Sequence, residues 1–487
     1  MSRRPPSILI IGAGFGGIGL GVLLRRAGIH SFTILEKADS LGGTWRDNTY
    51  PGAACDVPSH LYSFSFAPDS QWSRKWAAQP EILAYLERVS RYFGVTEHIR
   101  FGVAVDSARW NDESRRWVVS VTDGRTIRSD VLVAAVGQLN RPAIPNLTGM
   151  GSFTGPMFHT ADWPHDVDLT DLRVGVVGTA ASAVQVVPAL AERTRHLSVF
   201  QRSPNWILPR GDRAYRSWEK SLFRVVPATA RVYRTWIWAN HEARFPALRG
   251  RWPFTSIARR LLDQHLAEAV ADPELRAHLT PDYPVGARRV LSSDDYYPAV
   301  ARPDVELITE PIARVTPAGI TVSGGREIPL DAIVLATGFR STEFLTPMTI
   351  VGRGGRNLHE DDWATGARAH LGLSMPGYPN LFLMYGPHTN LGHNSIVFML
   401  ECQARHIVSC VRSLESGATL EIREDAFAEY SRRLDTDLDR TVWSHVGSSW
   451  YRDDSGRIAT NWASGTIRYW WLTRRAATRA YRHTPAR

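Results

Sequence analysis

Ser7-Ile8-Leu9-Ile10-Ile11-Gly12-Ala13-Gly14-Phe15-Gly16-Gly17 is the stretch that decides the fold. A short apolar run ending directly in glycines predicts a buried parallel strand. The G-x-G-x-x-G that follows, opening an amphipathic segment that ends near Gly28, predicts the first βα turn of a dinucleotide-binding unit. Gly12 permits the tight turn, Gly14 lets a pyrophosphate approach the backbone and the helix N-terminus, and Gly17 lets helix and strand pack closely. The next apolar run, Phe32-Thr33-Ile34-Leu35, ends in Glu36, an acid placed to accept hydrogen bonds from ribose hydroxyls.

A second unit repeats the pattern in weaker form. Val174-Gly175-Val176-Val177 leads into Gly178-Thr179-Ala180-Ala181-Ser182-Ala183, a helical segment, and the strand Leu197-Ser198-Val199-Phe200. Ala183 still packs closely, whereas Ala180 adds a methyl where the pyrophosphate should approach. The register strengthens the comparison. Glu36 lies 19 positions beyond Gly17, and Arg202, followed by Ser203, lies 19 positions beyond Ala183. An acid there suits a free ribose 2′-hydroxyl, as in FAD, and an arginine suits the 2′-phosphate of NADPH.

Gly124 to Gly137 and Gly325 to Gly338 echo each other as a turn, a buried strand and a glycine, each read as closing one unit. The expectation is an α/β protein of two Rossmann-like domains. An FAD-binding domain would comprise residues 1–142 and 331–487, and an NADPH-binding domain residues 143–330, with a helical insertion at about 211–280. That insertion, rich in tryptophan and arginine, reads as a cap over a substrate cavity, with plain packing or membrane contact as the other readings.

At 487 residues the chain exceeds what one hydrophobic core supports, and 44% hydrophobic with 22% charged residues excludes disorder. The net charge of +9 favours anionic partners, phosphorylated cofactors among them, and the tail carries Arg474, Arg475, Arg479, Arg482 and Arg487. Cys55, Cys402 and Cys410 form no metal spacing and no dithiol motif, which argues for a reducing cytoplasm and against a disulfide reductase. Arg3-Arg4 before the uncharged run from Ile8 to Leu24 imitates a targeting signal, but its glycines weaken a spanning helix, so no stable membrane insertion is expected.

Gly42-Gly43-Thr44-Trp45, Tyr50 through Asp56, and Phe153-Thr154-Gly155-Pro156-Met157-Phe158-His159-Thr160-Ala161-Asp162-Trp163-Pro164 resemble the fingerprints of type I Baeyer–Villiger monooxygenases. With the two nucleotide motifs and Ala336-Thr337-Gly338, the resemblance runs in order along nearly the whole chain. Tyr385-Gly386-Pro387 through Asn394 is most similar to the hydroxyacetophenone monooxygenase branch. The resemblance implies conversion of a ketone to an ester or lactone with FAD, NADPH and dioxygen through a flavin C4a-peroxide, with no metal and no nucleic acid.

It also implies roles. In Pro284-Val285-Gly286-Ala287-Arg288-Arg289, the last arginine would stabilise the peroxide and the adduct oxyanion, and Arg288 would touch a cofactor phosphate. Asp56 would orient Arg289. Trp45, Tyr62 and Val105 would contact FAD, and His159 would serve a hinge between domains rather than proton transfer. Two other readings stay open: oxygenation of nitrogen or sulfur on the same fold, and a non-oxygenating redox module, which Ala180 favours.

Overall fold

The computed structural model describes residues 4–447 and 449–486. Arg3 and Arg487, parts of the N-terminal and C-terminal basic readings, lie outside the described residues. Along the chain run β1 (Ile8–Ile11), α1 (Phe15–Arg26), β2 (Phe32–Leu35), β3 (Ile99–Arg100), β4 (Val131–Ala134), β5 (Met157–His159) and β6 (Arg173–Val177). There follow α2 (Ala181–Ala191), β7 (His196–Phe200), α3 (Ser217–Val225), α4 (Pro227–Glu242) and α5 (Phe254–Ala269). The remainder contributes β8 (Val305–Ile308), β9 (Ala332–Leu335), β10 (Leu381–Leu383), α6 (Ile396–Arg412) and α7 (Thr466–Arg479).

Two five-stranded sheets organise these elements. The first has the order β10-β4-β1-β2-β3 and the second β8-β7-β6-β9-β5. Every pairing in both is parallel. Parallel strands are covered on both faces, which explains why β1, β4 and β9 read as unbroken apolar runs and why every residue in them is buried. In each sheet the order reverses beside the first strand, between β1 and β4 and between β6 and β9. Such a reversal opens a crevice at the carboxyl ends of the strands, where ligands of this fold class bind.

The glycine turns stand at those crevices. Gly12 has φ +103°, and a Cβ on it would lie 2.6 Å from the Ala135 carbonyl oxygen just beyond β4. Gly178 repeats this with φ +114° and 2.5 Å to the Ala336 oxygen beyond β9. The echo noticed in the sequence thus corresponds to an antiparallel hairpin feeding a closing strand in each unit: Arg116–Val121 with Thr126–Ser129 before β4, and Gly319–Val322 with Glu327–Pro329 before β9. One expected boundary needs correction. The exit at residue 331 falls before β9, but β9 is hydrogen-bonded between β6 and β5, so the second sheet extends through residue 335.

The segment 211–280 is helical, with Pro273–Leu279 following α3, α4 and α5. Arg234 of α4 fixes it to the first unit, donating to the carbonyls of His60 (2.7 Å), Leu61 (3.1 Å) and Ser63 (2.8 Å). Among the described residues, no helix is long and apolar enough to cross a membrane, and no cluster of His, Cys, Asp and Glu could hold a metal ion.

Candidate active site

A cavity of about 1430 Å³ runs from the first glycine turn to the second. Drug-sized ligands occupy about 300–1,000 Å³, so one continuous space here exceeds the needs of a single small molecule. Of the residues singled out in the sequence, Gly12, Gly14, Glu36, Thr44, Trp45, Asp56, Tyr62, Val105, Gly178, Thr179, Ala180, Ser182, Arg202, Ser203, Arg288 and Arg289 line it. Gly17, Ala183 and His159 do not.

Gly17 and Ala183 act from behind the wall. A Cβ on Gly17 would fall 1.9 Å from the Gly12 carbonyl oxygen, so only glycine lets α1 approach β1 this closely. Ala183 is fully buried at the corresponding place in α2. Gly14 and Ala180 are the N-caps of the two helices and share one conformation, φ −88° with ψ −164° and φ −82° with ψ −162°. Since both φ values are negative, Ala180 adopts the turn without backbone strain; its methyl alters only the space at the mouth of the helix.

Glu36 is buried and serves the loop as well as the cavity. Its carboxylate accepts from the Ala13 amide (2.9 Å), the Ala38 amide (3.1 Å) and Arg46 Nη1 (3.0 Å). A carboxylate has about four acceptor positions, so these three leave capacity for a hydroxyl. Trp45 donates from Nε1 to the Tyr62 hydroxyl (3.0 Å) and meets that ring edge-on, which fixes one aromatic wall. On the opposite unit, Arg288 Nη1 donates to Ser203 Oγ (2.5 Å), and its guanidinium lies 4.7 Å from the Tyr283 ring centroid. Thr179 Oγ1 donates to the Ser203 carbonyl (3.0 Å). Arg202 is exposed and has no carboxylate partner among the described residues. The second turn is therefore edged by two arginines and two hydroxyls, a surface suited to phosphate.

Arg289 and Asp56 form an ion pair where the two units meet. Burial opposes the guanidinium charge, but the attraction of Asp56, followed by the fields of Tyr451 and Tyr385, outweighs it and raises the arginine pKa above its ordinary value. The cation therefore persists throughout the working pH range.

The loop carrying Asp56 is itself held by the second unit, through contacts that the sequence did not disclose. Gln185 of α2 accepts from the Tyr50 hydroxyl (2.8 Å) and the Ala54 amide (3.3 Å), and donates to the Ala54 carbonyl (2.9 Å). Gly52 has φ +83° and rides so close to α2 that a Cβ would come within 2.4 Å of the Gln185 carbonyl oxygen. Arg210 adds a bond to the Cys55 carbonyl (2.8 Å). Burial pushes the Tyr50 hydroxyl up to about 12, keeping it a donor.

Tyr385, in the sequence only one residue of the Tyr385–Asn394 segment, lines the cavity with Asp56 and Arg289. Its hydroxyl donates to Asn390 Oδ1 (2.8 Å), and Gln138 Nε2 donates to its carbonyl (2.9 Å). Burial pushes the phenol up to about 12 although Arg289 draws it down. The backbone at Tyr385 is left-handed, φ +58°, a conformation uncommon for a bulky residue and one that marks functional sites. His159 is buried at the end of β5, where its Nδ1 accepts from the Ala161 amide (3.1 Å) and its ring meets Phe339 edge-on. Burial lowers its pKa, which together with its place outside the cavity argues against proton transfer.

Comparison with known proteins agrees with this architecture. A family model described as pyridine nucleotide-disulphide oxidoreductase matches residues 9–218. All three cysteines are free and buried, so the match reflects the nucleotide-binding framework rather than a redox-active cysteine pair. A Baeyer-Villiger monooxygenase from Streptomyces coelicolor is 41% identical over 478 residues, covering 97% of this chain and 92% of that protein. An oxidized steroid monooxygenase bound to NADP superposes with a TM-score of 0.89 and 32% identity, covering 99% of this chain and all of the other. The OTEMO complex with FAD and NADP superposes at 0.88 with 27% identity, over 99% of this chain and all of the other.

Proposed function

This chain belongs to the Baeyer–Villiger monooxygenases, and from that premise we infer which of its side chains carry out an FAD- and NADPH-dependent conversion of a ketone to an ester or lactone. The residues fit both nucleotides. Gly14 leaves its cradle open, the nearest atom to an added Cβ being 3.8 Å away. The first unit, residues 1–142 with the C-terminal part of the chain, takes FAD. The second, from 143 through β9, takes NADPH. Bound FAD supplies the redox chemistry that transfers electrons from NADPH to dioxygen and delivers one oxygen atom to the ketone.

The protein's part is electrostatic and positional. Gly12, Gly14, Glu36 and Thr44 hold the flavin nucleotide, with Trp45, Tyr62 and Val105 against it and Gly17 packing α1 behind the turn. Gly178, Thr179, Ala180, Ser182, Arg202, Ser203 and Arg288 hold the coenzyme, with Ala183 buried behind them in α2. Arg289 supplies a preorganised cation for the negative charge that builds on oxygen as the carbonyl is attacked, and needs no reorientation at that moment because Asp56 already fixes it. His159 belongs to the link between units. The Arg289–Asp56 pair facing a cavity large enough for two nucleotides is the observation that carries this reading. A small ketone and dioxygen are the partners, and the three buried free thiols fit a reducing cytoplasm.

The test is a panel of aryl, cyclic and long-chain ketones incubated aerobically with the FAD-loaded protein and NADPH. The expected result is an ester or lactone formed one for one with NADPH consumed. NADPH oxidation yielding only hydrogen peroxide across the panel, or sulfoxide and N-oxide products in place of esters, would overturn the assignment.

A smaller effect is expected at the coenzyme turn. Ala180→Gly should lower the NADPH dissociation constant, because the backbone already has the Gly14 conformation and only a methyl is removed. Crowding by one methyl costs about 1 kcal/mol at the low end of overpacking, where a loop able to shift places it, so the gain is about fivefold. The dependence of flavin reduction on NADPH concentration, followed without oxygen, measures it, and an unchanged constant would mean that the loop already accommodates the methyl.

A further inference from the structure

The outward face of the helical insertion differs from an ordinary solvated surface. On α3, Trp218, Leu222 and Val225 are 61%, 39% and 74% exposed and recur at i, i+4 and i+7, forming one stripe. The opposite side of α3 is satisfied inside the protein, where Phe223 stacks on Tyr233 of α4. On α4, Val232 and Trp236, four apart, are 69% and 59% exposed, while Ile237 and His241 of the same helix are buried. At its C-terminal end α4 is joined to α7: Trp238 Nε1 donates to Thr466 Oγ1 (3.1 Å), and Glu242 accepts from the Thr466 amide (2.7 Å). There α7 exposes Trp470 and Trp471, with Arg474 and Arg475 lying 4.4 and 3.9 Å from their ring centroids.

The unpaired charge on these helices has one sign, since Glu219 is held by Arg213 and Glu242 lies beside His393. Residues 220–241 contain Lys220, Arg224, Arg231 and Arg234 and no carboxylate, and residues 466–486 contain no carboxylate either. Arg216, Lys220, Arg224 and Arg231 have no ion-pair partner among the described residues. Exposed tryptophans and branched aliphatics interleaved with unpaired cations on helices lying along the surface are the composition of an interfacial membrane contact.

We propose that the face of α3, α4 and α7 docks the protein onto an anionic phospholipid bilayer, with the tryptophans at headgroup depth and the arginines on lipid phosphates. Charge argues against a second copy of the chain, since a symmetric contact presses the same unpaired cations against themselves. The aliphatic stripe argues against nucleic acid, whose backbone offers it nothing to cover. Docking in this manner is peripheral and needs no spanning helix. It is independent of the catalytic assignments, although α4 also supports the cavity, its Glu242 accepting from Asn394 Nδ2 (3.0 Å).

The test is sedimentation of the FAD-loaded full chain with vesicles of phosphatidylcholine alone and of phosphatidylcholine mixed with phosphatidylglycerol. The bound-to-free ratio should rise by at least about tenfold on the anionic vesicles and fall with added salt. It should be lost in the Trp218→Glu/Trp236→Glu double variant, which keeps its flavin spectrum and its reduction by NADPH. If that variant fails to fold, Arg224→Glu/Arg231→Glu takes its place. Equal binding to both vesicles, or binding retained by a folded variant, overturns the proposal. So does a dimer detected by light scattering that the variant dissolves in the absence of vesicle binding, since the face would then join copies of the chain.

Discussion

Replacing Arg289 with alanine is expected to reduce ester formation by about 10²–10³, the usual cost of removing an oxyanion-stabilising group, while FAD stays bound. The two outcomes separate because the side chain stands on the second unit, whereas the residues proposed to hold the flavin, Gly12 to Glu36 with Trp45 and Tyr62, stand on the first. Removing the guanidinium also leaves Asp56 without its partner, a carboxylate one-third exposed and therefore still reachable by water. The protein should fold. Reducing equivalents continue to flow, now to hydrogen peroxide instead of ester, so NADPH oxidation, peroxide and ester must be followed together. Ester made at the parental rate without extra peroxide would remove Arg289 from the catalytic machinery and leave its contact with Asp56 as a structural salt bridge.

The second large effect is expected at Arg202, whose loss should weaken NADPH and leave NADH nearly unchanged. A charge-assisted contact contributes about 1.5–3 kcal/mol. Arg202 is exposed and Arg288 remains close by, which draws the effect toward the lower figure, roughly tenfold in affinity. Dissociation constants for both coenzymes, taken from flavin reduction without oxygen, measure the difference. An equal loss for NADH and NADPH would mean that Arg202 supports the turn rather than reading the 2′-phosphate, and would shift that role to Arg288 with Ser203.

The features legible in the sequence were those that local chemistry imposes. Gly12 and Gly178 must be glycine because a carbonyl from the neighbouring strand stands within 2.6 and 2.5 Å of where a Cβ would be. Buried parallel strands must be apolar throughout, so β1, β4 and β9 were readable as strands, and the common offset of Glu36 and Arg202 followed from the shared length of the two βαβ units. The position of β9 between β6 and β5 was not readable, because an apolar strand carries no mark of the sheet it joins. Nor were the bonds from Gln185 to Tyr50 and Ala54, which span more than 130 positions and depend on how two finished units rest against each other. Tyr385 escaped for a related reason. Its signal is a left-handed backbone at a bulky residue, visible only once the chain has folded.

Asp56 is carried by one sheet's loop and Arg289 by the other's, so the contact between them measures the posture of the whole molecule. A swing of the units by a few ångströms would leave every nucleotide-gripping loop intact and still misdirect the guanidinium. The grip of α2 on the loop from Tyr50 to Ala54 holds the segment leading to Asp56 against the second unit. The division also separates two kinds of evolutionary change. Substitutions in the helical insertion, where no residue from 211 to 280 lines the cavity, leave that grip untouched. Substitutions at Tyr50, Gly52 or Gln185 would let it slip, producing an enzyme that binds everything it should and spends reductant idling.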